Sequence, residues 1–317
     1  IKELINTTMQ MNTKKLSTLF KTNKTEIQKF CSTQLRQKIE YQYLSIEERD
    51  LIVIKILERI NEDKQIIASK GRKGKWLKGW EESLKTYSKN RSLKSLIPKF
   101  YTARENKFFR LGGEFIKVKN PMFEVNMINI YRNWYFKKYF SKVKNIYEFG
   151  AGTGINLIEL SKIFPKNKIY GSDFVKSAVD LLKLVSKNND LNLNAFKFDM
   201  SKPNLKYKIL KNSGVYTSGA IEQLGGDIHN FINYILSQKP IIVIHSEPVS
   251  DFYNTSKLPD FLGNLFQNKR GYTKNLLSYL KILEKKKKIK ILKLCKSPFG
   301  SLMMEGHNLI VWKPYVR

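Results

Sequence analysis

Two periods of apolar residues divide this chain. Over residues 1–100 the pattern is helical and polar, without internal repeats. Val53, Ile56, Leu57 and Ile60 recur at i, i+3, i+4 and i+7. Ser45, with Glu48 three residues on, supplies a capping-box start for that helix. The stretch Lys70–Lys78, with two glycines and five basic residues, reads as a break before a second helix around Trp80–Tyr87. Trp76 and Trp80 read as packing for that helix, or as an aromatic and basic lid over a ligand. Residues 101–142 read as a connector, with turns at Gly112–Gly113 and Pro121. A helix then runs from about Glu124 to Phe140, and its aromatics Tyr131, Trp134, Tyr135 and Phe136 call for burial on more than one face.

From residue 143 onward short apolar runs alternate with helical segments, which predicts a parallel sheet with helices on both faces. The expected strands are Asn145–Phe149, Lys168–Ser172, Ala195–Asp199, Gly214–Ser218, Ile241–Ser246, Ile289–Cys295 and His307–Trp312. About eleven residues link the last two, which suits an antiparallel hairpin better than a helical crossover. The fold class is therefore α/β with one reversed edge strand, preceded by a mainly helical domain at 1–100 and the connector at 101–142.

Composition changes this picture little. At 317 residues and 42% hydrophobic the chain can bury a sizeable core, which excludes wholesale disorder. The net charge of +31 comes from 48 Lys and 10 Arg against 27 acids. It is spread evenly, with 31 basic and 14 acidic residues before position 143 and 27 and 13 after it. Nucleic-acid recognition favours Arg and a patch, so the even Lys excess reads as compositional. Cys31 and Cys295 are too few for a disulfide framework, which suggests a reducing, cytoplasmic setting. No apolar run approaches the roughly 20 residues of a membrane span. No signal peptide is visible, and a start at Ile1 rather than Met leaves a removed leader open.

The chemistry is concentrated in Glu148-Phe149-Gly150-Ala151-Gly152-Thr153-Gly154, between a strand and a helix at Ile155–Phe164. Its glycines permit a tight turn and close approach of a ligand to backbone amides. The acid two residues before Gly150 disfavours a pyrophosphate ligand. On these residues the chain resembles the class I S-adenosylmethionine-dependent methyltransferases, from about residue 124 to 317 and most strongly from Tyr147 to Asp199. The resemblance implies a seven-stranded Rossmann-like sheet with a reversed last strand, and 143–317 as the S-adenosyl-L-methionine domain. It implies that Glu148 to Gly154 (Glu148, Gly150, Ala151, Gly152, Thr153, Gly154) cradle the methionine end of the cofactor. Asp173 would bind the ribose with Phe174 beside the adenine, Asp199 and Met200 would meet the adenine, and Ser218 closes the set after the fourth strand.

The five parallel strands each end at or near an acid, namely Glu148, Asp173, Asp199, Glu222 and Glu247. Ligands of open α/β sheets bind outside the carboxyl ends of the strands. Glu247 and Glu222 are thus candidate catalytic carboxylates, with His245 beside them, which also reads as a satisfied core histidine within the fifth strand. Gln223 stands where related small-molecule enzymes carry His, so it orients substrate rather than acting as a base. Tyr253, Arg270, His307, Tyr131 and Arg132 are the further substrate-side candidates. No spacing suggests a metal site. The chain lacks the Asn/Asp-Pro-Pro-aromatic run of base-amine methyltransferases. The expected reaction is in-line methyl transfer to O or N of a small or sugar-like molecule, with a nucleic-acid or protein acceptor as the alternative.

Overall fold

A computed structural model describes residues 7–64, 68, 72–102, 107–226 and 228–315. Its strands are β1 (Met9–Gln10), β2 (Glu40–Tyr43), β3 (Phe108–Leu111), β4 (Glu114–Lys117), β5 (Asn145–Phe149) and β6 (Lys168–Asp173), then β7 (Leu193–Lys197), β8 (Ser213–Ser218), β9 (Ile242–Glu247), β10 (Ile289–Cys295), β11 (Phe299–Gly300) and β12 (Asn308–Pro314). Seven of them form one sheet in the order β10-β12-β9-β8-β5-β6-β7. Strands β5 to β9 run parallel, and β12 is antiparallel to both neighbours.

Alternate residues of the central strands feed two cores. Ile146, Tyr216 and Ile244 face one apolar cluster, and Tyr147, Val215 and Val243 face the other. Burial on both faces explains why these strands read as near-continuous apolar runs. The reversed strand corrects the expectation of a reversed edge. β12 is buried from Asn308 to Trp312 and lies between β9 and β10. Its hairpin partner β10 takes the edge and alternates buried with exposed positions such as Lys290. Lysines suit an edge that must not recruit further strands.

A second sheet, ordered β1-β2-β4-β3-β11, adds strands to the mainly helical N-terminal region that the sequence predicts. Its strands are two to four residues long and give no periodic signal. It joins distant parts of the chain, since Phe299 pairs with Leu111 and Gly300 with Arg110. Arg110 secures that junction. Its buried guanidinium donates to the carbonyls of Pro259, Leu302 and Met303 and pairs with Glu305 at 3.0 Å.

The glycine- and lysine-rich stretch is not a break. Residues Arg72–Asn90 form one helix, although the start of the run, at 70–71, lies outside the described residues. This helix packs on Lys176–Asn188, where Tyr87 meets Ile158, Leu181 and Val185. The aromatic helix Phe123–Tyr139 is buried along most of its length, as its all-round apolar character requires.

Candidate active site

The turn after β5 holds Gly150 at φ +77° and Gly152 at φ +51°. Both conformations disfavour a Cβ, and space forbids one too. A Cβ on Gly150 would collide with Ala220 and stand 3.2 Å from Met200 Cε. The loop therefore closes against the segments that follow β7 and β8. Gly150 N–H and Ala151 N–H donate to the Ser172 carbonyl at 2.9 and 2.8 Å. Thr153 is buried, and Gly154 caps the helix Ile155–Ile163. Asp173 holds the loop from β6: its Oδ2 accepts from Gly152 N–H at 3.1 Å and its Oδ1 from Val175 N–H at 3.0 Å.

Glu148 points into the interior of this edge. Its Oε1 accepts from Asn156 Nδ2 at 2.7 Å, while Oε2 is buried with no partner. Burial pushes its carboxyl up to about 8, against the opposing pull of Asn156 and Arg132. Arg132 donates from Nη1 to Asn156 Oδ1 at 2.8 Å and from Nη2 to Asn129 Oδ1 at 2.6 Å. Asn156 thus joins the loop acid to the aromatic helix.

The ends of β8 and β9 bring Glu222 and Glu247 together. Glu247 Oε2 accepts from Ala220 N–H at 2.9 Å and Ile221 N–H at 3.2 Å, so it clamps the segment packed against Gly150. The two buried carboxyl groups interact electrostatically, which favours a proton on one of them. Burial raises both carboxyls, and the Glu247 charge raises Glu222 further. Gln223 turns back on the loop, donating from Nε2 to the Gly219 carbonyl at 2.9 Å.

Around this pair stand groups not anticipated from sequence. Glu124 is buried and desolvation pushes its carboxyl up to about 8. Tyr101 feels Glu124, Glu222, Tyr272 and Arg132. Above the loop stands Trp80, which the sequence offered as helix packing or as a lid, and its indole would meet a Cβ on Gly152 at 2.8 Å. An Asn one turn into a helix, a Glu in an aromatic helix and a Tyr in a connector carry no pattern that separates them from ordinary residues.

The expected site residues divide. Met200 reaches the loop, Ser218 ends β8 half-buried, and Phe174 follows Asp173 half-buried at the same edge. Asp199 lies two residues past the end of β7, where its Oδ1 accepts from Ser201 N–H at 2.9 Å and Ser201 Oγ at 2.7 Å. His307 lies by Ser246 and Phe299, and burial and the Arg132 charge lower its imidazole to about 4.

His245 is a core residue instead of a catalytic one. Trp312 Nε1 donates to its Nε2 at 3.0 Å, so Nδ1 carries the proton and donates to Thr217 Oγ1 at 2.8 Å. Neither nitrogen is left to take a proton, and burial lowers the ring to about 3. Tyr131 is packed among Phe20, Trp134 and Phe299. Tyr253 accepts from Gln267 Nε2 at 3.0 Å within the Arg110–Glu305 junction. Arg270 pairs with Asp63 at 2.6 Å. Substrate roles drawn for these three meet side chains already committed to packing or ion pairs.

Both cysteines are free and buried. Among the described residues no group of three or more His, Cys, Asp or Glu is arranged to hold a metal ion. No described helix is long and apolar enough to cross a membrane.

No family model matches the chain. A segment of 75 residues is 35% identical to O-methyltransferase 3 of Dictyostelium discoideum, covering 24% of this chain and 17% of that protein. Solved structures to which the chain is similar include an O-methyltransferase family 2 protein from Planctomyces limnophilus in complex with apigenin. That likeness has 15% identity, 55% of this chain, 51% of that one and a TM-score of 0.40. The magnesium protoporphyrin IX methyltransferase of Synechocystis with bound S-adenosylhomocysteine gives 15% identity, 61% and 83% coverage and a TM-score of 0.44. The [4+2]-cyclase SpnF gives 12%, 55% and 76%, and 0.41. The chain thus spans about half of the first of these structures and a small part of the Dictyostelium protein. Likenesses this distant assign no residue a role, so the fold rests on the strand order observed above. In that order and in its acid-led glycine loop, the chain is similar to the class I S-adenosylmethionine-dependent methyltransferases.

Proposed function

We propose that this chain is an S-adenosyl-L-methionine-dependent methyltransferase acting on oxygen or nitrogen of a small molecule. The observation that carries the reading is a convergence at one sheet edge. The Gly150–Gly152 turn, the Asp173 clamp on it and the Glu222–Glu247 pair all lie there, beneath Trp76 and Trp80. The residues suit the cofactor: Glu148 Oε2 is a buried acceptor without a partner, and Gly150 and Gly152 present bare backbone beneath Trp80.

When bound, S-adenosyl-L-methionine supplies a sulfonium-activated methyl group. The work of the protein is then alignment and proton removal. Gly150 to Gly154 and Asp173 would hold the donor, with Asp199 and Met200 at the neighbouring strand end. Residues 1–100 would supply the roof, and the connector at 101–142 would supply Tyr101 and Glu124 as a wall of the acceptor pocket. Alignment of this kind supplies roughly 7–11 kcal/mol in favourable intramolecular cases. A proton leaving an acceptor hydroxyl or ammonium passes to the Glu222–Glu247 pair, whose raised proton affinity suits it to general-base work, worth on the order of 10²–10⁴-fold. Gln223, bonded to Gly219, shapes the loop beside it.

A nucleic-acid acceptor is not favoured, because the groups at this edge are mostly carboxyls and phenols. The test is thermal stabilisation by S-adenosylhomocysteine. A ligand that binds only the folded state adds roughly 2.7 kcal/mol at a hundredfold excess over Kd. A shift in the native protein that is lost in Asp173→Asn supports the reading. No shift at millimolar ligand in folded protein overturns it.

A further inference from the structure

The helix Arg72–Asn90 is anchored on the sheet domain at one end and lies over the glycine loop towards the other. At the anchored end, Tyr87 is fully buried and its hydroxyl accepts from Asn189 Nδ2 at 2.9 Å. At the other, Trp80 lies on Gly152, at the residue whose amide Asp173 holds. Trp80 stacks on Trp76 with ring centroids 5.1 Å apart and planes at 20°. Trp76 in turn packs with Ala68, Tyr272 and Met304, and its Nε1 is buried with no partner. Tyr272 feels the charge of Glu222. The two indoles therefore span the site from the glycine loop to the carboxyl pair.

The same two turns contain Gly74 and Gly79. A Cβ on either would meet nothing within 4 Å, so packing does not require glycine there. What these glycines change is helix stability. Each shifts the local helix–coil balance against the helix by roughly fivefold relative to Ala. Segments of low local stability are those that open in binding.

We propose that residues 74–80 are a gate over the ligand site: Trp80 covers the glycine loop and lifts before a ligand can occupy it, and Gly74 and Gly79 make that opening easy. The inference rests on the cofactor reading above, since it is the glycine loop that the ligand must reach. A ligand that binds only the open form has its apparent affinity reduced by the open fraction. Stabilising the closed helix therefore weakens binding, and removing the cover strengthens it.

Calorimetric and stopped-flow titration with S-adenosylhomocysteine tests this on the intact chain. Gly79→Ala is expected to lower affinity and association rate by up to about fivefold, and Gly74→Ala with Gly79→Ala by roughly twentyfold. Trp80→Ala is expected to bind faster and at least as tightly. Native protein that binds while Trp80→Ala binds more weakly and Gly79→Ala is unchanged would make Trp80 a fixed ligand contact and overturn the gate alone. Folded native protein and Trp80→Ala that both fail to bind would remove the cofactor reading and the gate together.

Discussion

Glu222 and Glu247 bring two buried carboxyls into electrostatic contact at the ends of β8 and β9, and Glu222 Oε2 and Glu247 Oε1 have no hydrogen-bond partner. Two charges this close and this buried cannot both persist, so one proton stays with the pair. Glu247 keeps the charge, because two backbone amides already point at its Oε2. Glu222 is the neutral partner.

The two carboxyls therefore respond differently to removal of their charge. Glu222→Gln replaces a neutral acid by a neutral amide and leaves the charged Glu247 in place, so the fold and S-adenosylhomocysteine binding survive and turnover falls by far less than the roughly 10²–10⁴-fold that losing the base would cost. Glu247→Gln loses the charge that grips Ala220 and Ile221, and destabilises by about 1–3 kcal/mol. Urea unfolding of both variants separates them, and equal destabilisation would reject the assignment.

Glu124 makes stability fall with alkali. Its folded carboxyl is pushed up to about 8 by burial, from an ordinary value of 4.5. Between those limits the folded state holds a proton that the unfolded state has lost, so stability declines as pH rises through the window. Glu124→Gln should narrow the gap between thermal midpoints at pH 5 and pH 8.5. A gap unchanged from the native protein would show that Glu124 is not desolvated as described. Glu148, also raised to about 8, adds to the same slope.

Asn156 serves two buried ionisable groups with one amide. Asn156→Leu leaves both the Glu148 carboxyl and the Arg132 guanidinium without that partner, at a cost of about 1–3 kcal/mol. The urea midpoint measures it, and a variant as stable as the native protein would mean that water replaces the amide.

Gly150 and Ala220 form a pair whose failure can be partly repaired. Gly150→Ala drives a Cβ into Ala220 and places a side chain at φ +77°. The substitution should destabilise and abolish ligand binding. Adding Ala220→Gly should recover part of the stability, because the collision goes while the backbone strain stays. Identical single and double variants would show that strain alone is responsible.

His245→Leu should cost stability and leave S-adenosylhomocysteine affinity unchanged. Its two nitrogens serve Trp312 and Thr217 inside the core. A large loss of ligand affinity in folded variant protein would return the residue to the site.

The seven strands, the helix capped by Ser45 and the acid-led glycine turn were legible along the chain. Each is a local consequence of side-chain period, turn chemistry or capping over a few consecutive residues. The strand ends that carry Glu148, Asp173 and Glu247 follow from the same periods, which is why it could be read without a structure that these acids share one sheet edge. The Lys70–Lys78 run was misread because glycine is a weak helix breaker, and the packing of Tyr87 on Lys176–Asn188 holds the rest of that helix in place.

Other features needed the tertiary structure. The pairing of Phe299 with Leu111 joins segments 188 residues apart through a two-residue strand. Strands that short carry no pattern of their own. The commitment of His245 to Trp312, the meeting of the Glu222 and Glu247 carboxyls, and the seating of Trp80 on Gly152 are meetings between distant residues. Sequence alone determined which residue types line the edge. Burial and partnership decided which carboxyls keep a proton and which histidine is inert, because desolvation and hydrogen bonding act only once the chain has brought those groups together.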